Sequence, residues 1–99
     1  MVLINKFKVS LSSNFKEEFT SIIYYIKLNL KEPLIAEKFY NNVINKIASL
    51  NFMPERYPKI QNFRAENRNI RKMPIKEYLI IYQVNKDTRT SFYFTYFSL

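Results

Sequence analysis

The residues best suited to chemistry lie close to the most apolar run of the chain, Tyr78-Leu79-Ile80-Ile81-Tyr82, with Arg71 and Lys72 just before it. A guanidinium on a strand beside a buried sheet is a fixed cation, fit for bidentate contact with phosphate or carboxylate. Arg56, Lys59, Arg64 and Arg68 precede it, so these six side chains form a candidate surface for nucleic acid or another target. Between Pro54 and Lys76 seven basic residues face two acidic ones, a local net of +5 within a total of +8. For the lysines the competing explanation is solubility and a coding bias that enriches Lys, Asn, Ile, Tyr and Phe together. For Arg71 it is a salt bridge to a nearby glutamate. Tyr57, Tyr78, Tyr82 and Tyr96 could stack on bases or donate hydrogen bonds. They could equally be core rings with a wet hydroxyl, and for Tyr82 the core reading is preferred.

Three absences narrow the chemistry further. Cysteine is missing, which removes disulfides, thiolate nucleophiles and cysteine-based metal sites. Histidine is missing too, and with it the Ser/His/Asp triad, the Cys/His pair and the usual zinc sites. No glycine is present, so a phosphate-cradling glycine loop cannot be built and no nucleotide cofactor is expected. Left-handed turn positions are then expected to fall to Asn or Asp, and eleven asparagines are available. Acid–base work would rest on Glu, Lys or Tyr. Glu55, Glu66 and Glu77 lie in expected loops and turns and announce neither a catalytic pair nor a metal cluster. No run approaches the roughly 18 apolar residues of a membrane span, and Met1–Leu11 lacks the apolar core of a signal peptide. A cytoplasmic protein is expected.

The elements that must position these residues can be read from hydrophobic period. Lys6 to Leu11 alternates, with Phe7, Val9 and Leu11 facing inward as a strand. Ser12-Ser13-Asn14 supplies caps, and Asn14 with Glu17 resembles a capping box. Phe15, Phe19, Ile22, Ile23, Ile26 and Leu30 then mark one face of a helix to about Leu30. Pro33 suits the first residue of a second helix, whose apolar face is Ala36, Phe39, Tyr40, Val43, Ile44, Ile47 and Ala48, with Pro54 as its stop. Residues 52–69 read as an ordered basic loop pinned by Phe52, Tyr57 and Phe63. Strands come next at about 69–75, 78–84 and 90–97, joined by Lys76-Glu77 and by residues 85–89. In the last of them Phe92, Phe94 and Tyr96 share one face and Tyr93 and Phe97 the other. This gives a single α+β domain over residues 1–99, ordered β-α-α-β-β-β, an antiparallel helix hairpin on a small, largely antiparallel sheet. An exposed aromatic edge at the last strand would invite pairing with a second copy.

Three segments resemble the RelE/ParE superfamily, the toxins of type II toxin–antitoxin modules. They are Leu50-Asn-Phe-Met-Pro-Glu-Arg-Tyr-Pro58, the pair of strands over Ile70–Val84 with Arg71 on the first, and the helix pair with Pro33 and Ala36 opening its second member. The resemblance implies a small growth-inhibiting protein neutralised by a cognate acidic antitoxin. Members of that superfamily act either on DNA gyrase or on ribosome-bound mRNA as metal-independent endonucleases, and the resemblance implies one of these two targets here. It also implies Arg71 as the transferable site residue, with Arg56 and Tyr78 at motif positions. In the endonuclease branch further basic and acid–base residues stand near the end of the last strand. Here that end is Thr95-Tyr-Phe-Ser-Leu99, where only Tyr96 offers a proton, and a phenol of pKa about 10 is a poor base at neutral pH. A nuclease would therefore have an incomplete catalytic set, which leaves the enzyme question open and favours the ParE-like branch. A basic nucleic-acid-binding module without catalysis is the remaining alternative.

Overall fold

The computed structural model describes residues 7–61, 64 and 68–98, and of the side chains in that range all but those of residues 94–98. The order is β1 (Lys8–Leu11), α1 (Ser13–Tyr24), a π-helical turn (Tyr25–Asn29), α2 (Pro33–Ser49), a short 3-10 turn (Pro54–Arg56), β2 (Ile70–Ile75), β3 (Tyr78–Asn85) and β4 (Thr90–Ser98). Two helices pack on one four-stranded sheet, as the hydrophobic periods require.

Ser12 caps α1, its hydroxyl accepting the Phe15 N–H at 2.9 Å. The expected Asn14–Glu17 box does not form, because Asn14 lies inside the helix and donates to the Glu18 carboxylate one turn on, at 2.6 Å. Phe15 and Phe19 are the buried residues of α1. Beyond Tyr24 the winding loosens: the Leu30 N–H reaches the Tyr25 carbonyl, and the Glu32 N–H the Ile26 carbonyl, both at 3.1 Å. Lys31 then turns the chain with φ of 55°, and Pro33 opens α2 with φ already set for a helix. Ala36, Phe39, Val43 and Ile47 form the buried stripe of α2, which ends at Ser49 ahead of Pro54. Tyr40, expected on that stripe, is 47% exposed; its ring stacks on Phe19 at the margin, 5.4 Å between centroids.

The sheet order is β1-β4-β3-β2, with β1 parallel to β4 and the other two pairs antiparallel. The last strand is thus interior. β1 covers the edge it would otherwise expose, the Lys8 N–H bonding the Arg89 carbonyl at 2.8 Å and the Ser12 N–H that of Tyr93 at 2.9 Å. A bulge interrupts the expected alternation along β4: Ile81 faces Thr95 while Tyr82 faces Tyr93. An extra residue in one strand re-aims the side chains beyond it, and here Tyr93 is fully buried while Phe92 is 39% exposed. Tyr82 and Tyr93 stack at 4.9 Å in the centre of the core, where Phe15, Val43, Leu50, Met73 and Ile80 also have essentially no accessible surface. Ile81, on the opposite face of β3, is buried as well, while Leu79 and Gln83 beside it on that face are half-buried. The face away from the helices is thus covered only in part, and the unbroken apolar run overstates its burial.

Left-handed backbone falls on Lys31, Met53, Asn69, Lys76 and Arg89. Only Asn69 fits the expectation of Asn or Asp. The helix end and tight turns that impose φ > 0 have recruited long side chains instead, each at a steric cost of about 1–2 kcal/mol.

Candidate functional site

Arg71 lies on the core-facing side of β2, 8% exposed, and its guanidinium is committed to the protein itself. Nε donates to Asn69 Oδ1 at 2.9 Å. Nη1 donates to the carbonyls of Glu55 and Tyr57, both at 2.7 Å. Nη2 pairs with Glu55 Oε2 at 3.2 Å. A guanidinium carries five N–H groups, so this set leaves little donor capacity for a phosphate. The rigid fork instead pins the turn Pro54–Arg56 to the sheet. Tyr82 adds a further pin, its hydroxyl donating to the Pro54 carbonyl at 2.6 Å.

Glu55 is the hub of the cluster. Besides Arg71, its carboxylate accepts from Asn69 Nδ2 at 2.8 Å and pairs with Lys86 Nζ, on the turn after β3, at 3.1 Å. Burial alone would raise its pKa, but the Asn69 hydrogen bond, the Lys86 bond and charge, and the Arg71 charge outweigh that and hold it below the ordinary value. The phenols move the opposite way. Burial pushes Tyr82 up to about 12, the Arg71 charge opposing. Burial raises Tyr93 further still, with the Ser91 hydroxyl moderating the rise. Among the described residues, neither of these two buried hydroxyls has a hydrogen-bond partner.

The other sequence candidates are spread out. Arg56 follows Glu55 in the stapled turn, exposed, donating to the Ser49 hydroxyl with its guanidinium 5.8 Å from the Tyr57 ring centre. Lys59 bridges to Arg71 in an antiparallel pair. There the Ile60 N–H meets the Ile70 carbonyl at 2.9 Å and the Lys72 N–H the Pro58 carbonyl at 3.2 Å, covering the outer edge of β2. Lys72 is half-buried on the face of β2 opposite Arg71. Arg68 is exposed, and its carbonyl accepts from Gln83 at 2.9 Å. Arg64 is exposed. Tyr57 and Tyr78 pack partly against the core. Tyr96 faces Ile80 in the backbone register, its side chain lying outside the described ones, as do Phe63 and Glu66. Arg71 and Arg56 are thus brought to one turn, while Lys72 is on the other side of the sheet.

Two features leave no signal in the sequence. One is the hub role of Glu55, whose partners lie 14 and more residues away. The other is an open groove of about 800 Å³ between the π turn, α2 and the Lys76-Glu77 turn, lined by apolar residues such as Ile26, Leu30, Ile35, Phe39 and Tyr78. Tyr24, Tyr25, Leu28, Leu30, Leu34 and Ile35 are all more than half exposed around this end of the hairpin, although the α-helical stripe would have turned Leu30 inward. Among the described residues no acidic cluster suited to a metal ion is present, and no helix is long and apolar enough to cross a membrane.

A family model described as the ParE toxin of the type II toxin–antitoxin system parDE matches residues 9–93. The chain belongs to that family. The match spans both helices, the stapled turn and most of the sheet. Among solved structures, a chain of the chromosomal ParDE toxin–antitoxin system from P. aeruginosa superposes with a TM-score of 0.71, covering 96% of this chain and 98% of that one at 10% identity. At such identity the likeness is one of fold, the two-helix, four-strand arrangement expected for a RelE/ParE-type toxin. A search of the curated proteins gives no match.

Proposed function

We propose that this ParE-family chain is the toxin of a type II pair and arrests growth by binding a protein target, DNA gyrase, rather than by cutting RNA. The observation that carries this reading is the commitment of Arg71. A cation that stabilises a phosphorane-like transition state must aim free donors at it, whereas four Arg71 hydrogen bonds go to Glu55, Tyr57 and Asn69. No histidine is available in the chain. The Tyr82 phenol, with its pKa pushed up to about 12, is deprotonated even less at neutral pH than an ordinary tyrosine and so is less available as a base. Binding needs neither group.

The partner is a cognate antitoxin, acidic and folding on contact. A net charge of +8 attracts such a chain, and the exposed apolar end of the helix hairpin gives it surface to bury. Both proteins act in the cytoplasm, where gyrase is. Controlled induction in a bacterium tests the target. The expected result is a DNA-damage response and inhibited supercoiling by purified gyrase, with translation continuing. Arrest with cleaved mRNA and an intact gyrase reaction would overturn the reading. Co-expression with a small acidic protein encoded next to this chain, the form a cognate antitoxin would take, should restore growth and yield a stable complex.

A further inference from the structure

Met53 holds the left-handed conformation, φ 48° and ψ 56°, and its side chain is 74% exposed. Of the left-handed residues described, the other four are Lys31, Asn69, Lys76 and Arg89, whose polar ends belong in water. Met53 alone sets an apolar side chain into solvent from a strained backbone, and burial returns almost nothing for it. Observed strain with no packing benefit points towards function.

The surroundings of Met53 are built as a recognition surface is built. Next to it the turn is stapled by Arg71 through the Glu55 and Tyr57 carbonyls, by Tyr82 through that of Pro54, and by Lys86 through the Glu55 carboxylate. Phe52 precedes it, 38% exposed. Arg56 lies beyond, held by Ser49 and set against Tyr57. Met, Arg, Phe and Tyr are the types enriched where proteins meet, and a loop already fixed loses little entropy when it docks.

We infer that the stapled turn Phe52–Tyr57 is the surface with which this toxin engages its protein target, Met53 entering an apolar pocket and Arg56 meeting an acidic group at the pocket's rim. The inference rests on the proposed protein-binding action and adds its location. The turn follows the C-terminal end of α2, whereas the exposed apolar residues Tyr24–Ile35 surround its N-terminal end. A 17-residue helix separates the two by about 25 Å. A wrapping antitoxin segment needs a long apolar surface, which the hairpin end has and this small rigid turn lacks. The two contacts are therefore separable by substitution.

Met53→Gly is the decisive variant, because it removes the side chain and relieves the backbone together. Wild type, Met53→Gly and Met53→Asp are compared for thermal stability, capture of the acidic neighbour, growth arrest and inhibition of purified gyrase. The expected result is Met53→Gly at least as stable as wild type and still captured, with gyrase inhibition weakened about thirty-fold, the scale of an interface anchor. Met53→Asp should weaken it at least as much. Undiminished inhibition in both variants overturns the inference and leaves the proposed target standing. Lost capture with arrest retained also overturns it, assigning the turn to the antitoxin. If wild-type protein arrests growth without touching gyrase, the proposed target fails first and this inference with it.

Discussion

A single buried cation decides how the basic strand of this toxin is to be understood. Removing Arg71, itself 8% exposed, deprives Asn69 Oδ1 and two carbonyls of their donor. The Glu55 carboxylate, with 31% of its side chain exposed, keeps Asn69 and Lys86. Arg71→Ala should therefore lose about 1–3 kcal/mol in chemical denaturation, so lost toxicity in that variant reports folding unless stability is measured beside it. The two stacked tyrosines give a sharper contrast. Tyr82→Phe removes the donor to the Pro54 carbonyl and should cost about 1–3 kcal/mol. Tyr93→Phe removes a buried hydroxyl with no partner among the described residues and should be neutral or slightly stabilising; an equal cost for the two would contradict the hydrogen-bond assignment. Glu55 supplies the pH dependence. Its folded pKa lies below the ordinary 4.5, so the stability it adds is present above that value and is lost as pH falls through the folded pKa. Melting measured from about pH 7 downwards should show an acid limb that Glu55→Gln flattens. That Arg71 stands out was legible in the sequence, which favoured contact with a target over a salt bridge, and the structure shows the salt bridge, to Glu55. The partner was not legible, since Glu55 lies 16 residues away across an irregular loop and no period links them.

Helices and strands were legible wherever burial alone shapes them. The stripe Ala36, Phe39, Val43, Ile47 and the unbroken run Ile80-Ile81-Tyr82 are buried as their spacing requires. Winding was not legible. Ile22, Ile26 and Leu30 fit an α-helix, yet the π hydrogen bond from the Leu30 N–H to the Tyr25 carbonyl carries Leu30 into solvent. Nothing in hydrophobic period distinguishes one extra residue in the last turn. Nor does the alternation of aromatics along β4 reveal its bulge. Turn chemistry departs from expectation for a related reason: lacking glycine, the chain tolerates Lys76 at φ 55° between β2 and β3. Lys76→Gly should stabilise the protein by about 0.5–1 kcal/mol in equilibrium unfolding, by removing a Cβ clash that exceeds glycine's entropy cost. Lys76→Ala should give no such gain, because alanine keeps the Cβ.

The molecule is a thin plate, 21 Å in its shortest dimension, as one helix layer on one sheet must be. Its composition by itself excludes whole classes of chemistry, and the order of its elements is dictated by hydrophobic period. The parallel closure is not, because pairing between the first and last strands leaves no mark in local sequence. That closure has a physical purpose. Without β1, the aromatic strand β4 would present an unpaired edge, the kind of template on which chains associate. β1 is only four residues long, and the Lys8 N–H makes one of the bonds holding it, 2.8 Å from the Arg89 carbonyl. Lys8→Pro deletes that donor while leaving the α1–β4 core chemically unchanged. The variant should melt lower and sediment as a concentration-dependent mixture of monomer and larger species, whereas an exposed control such as Lys16→Ala should behave as wild type. A Lys8→Pro protein that melts lower yet stays monomeric at every concentration would show that β1 contributes stability without guarding the edge.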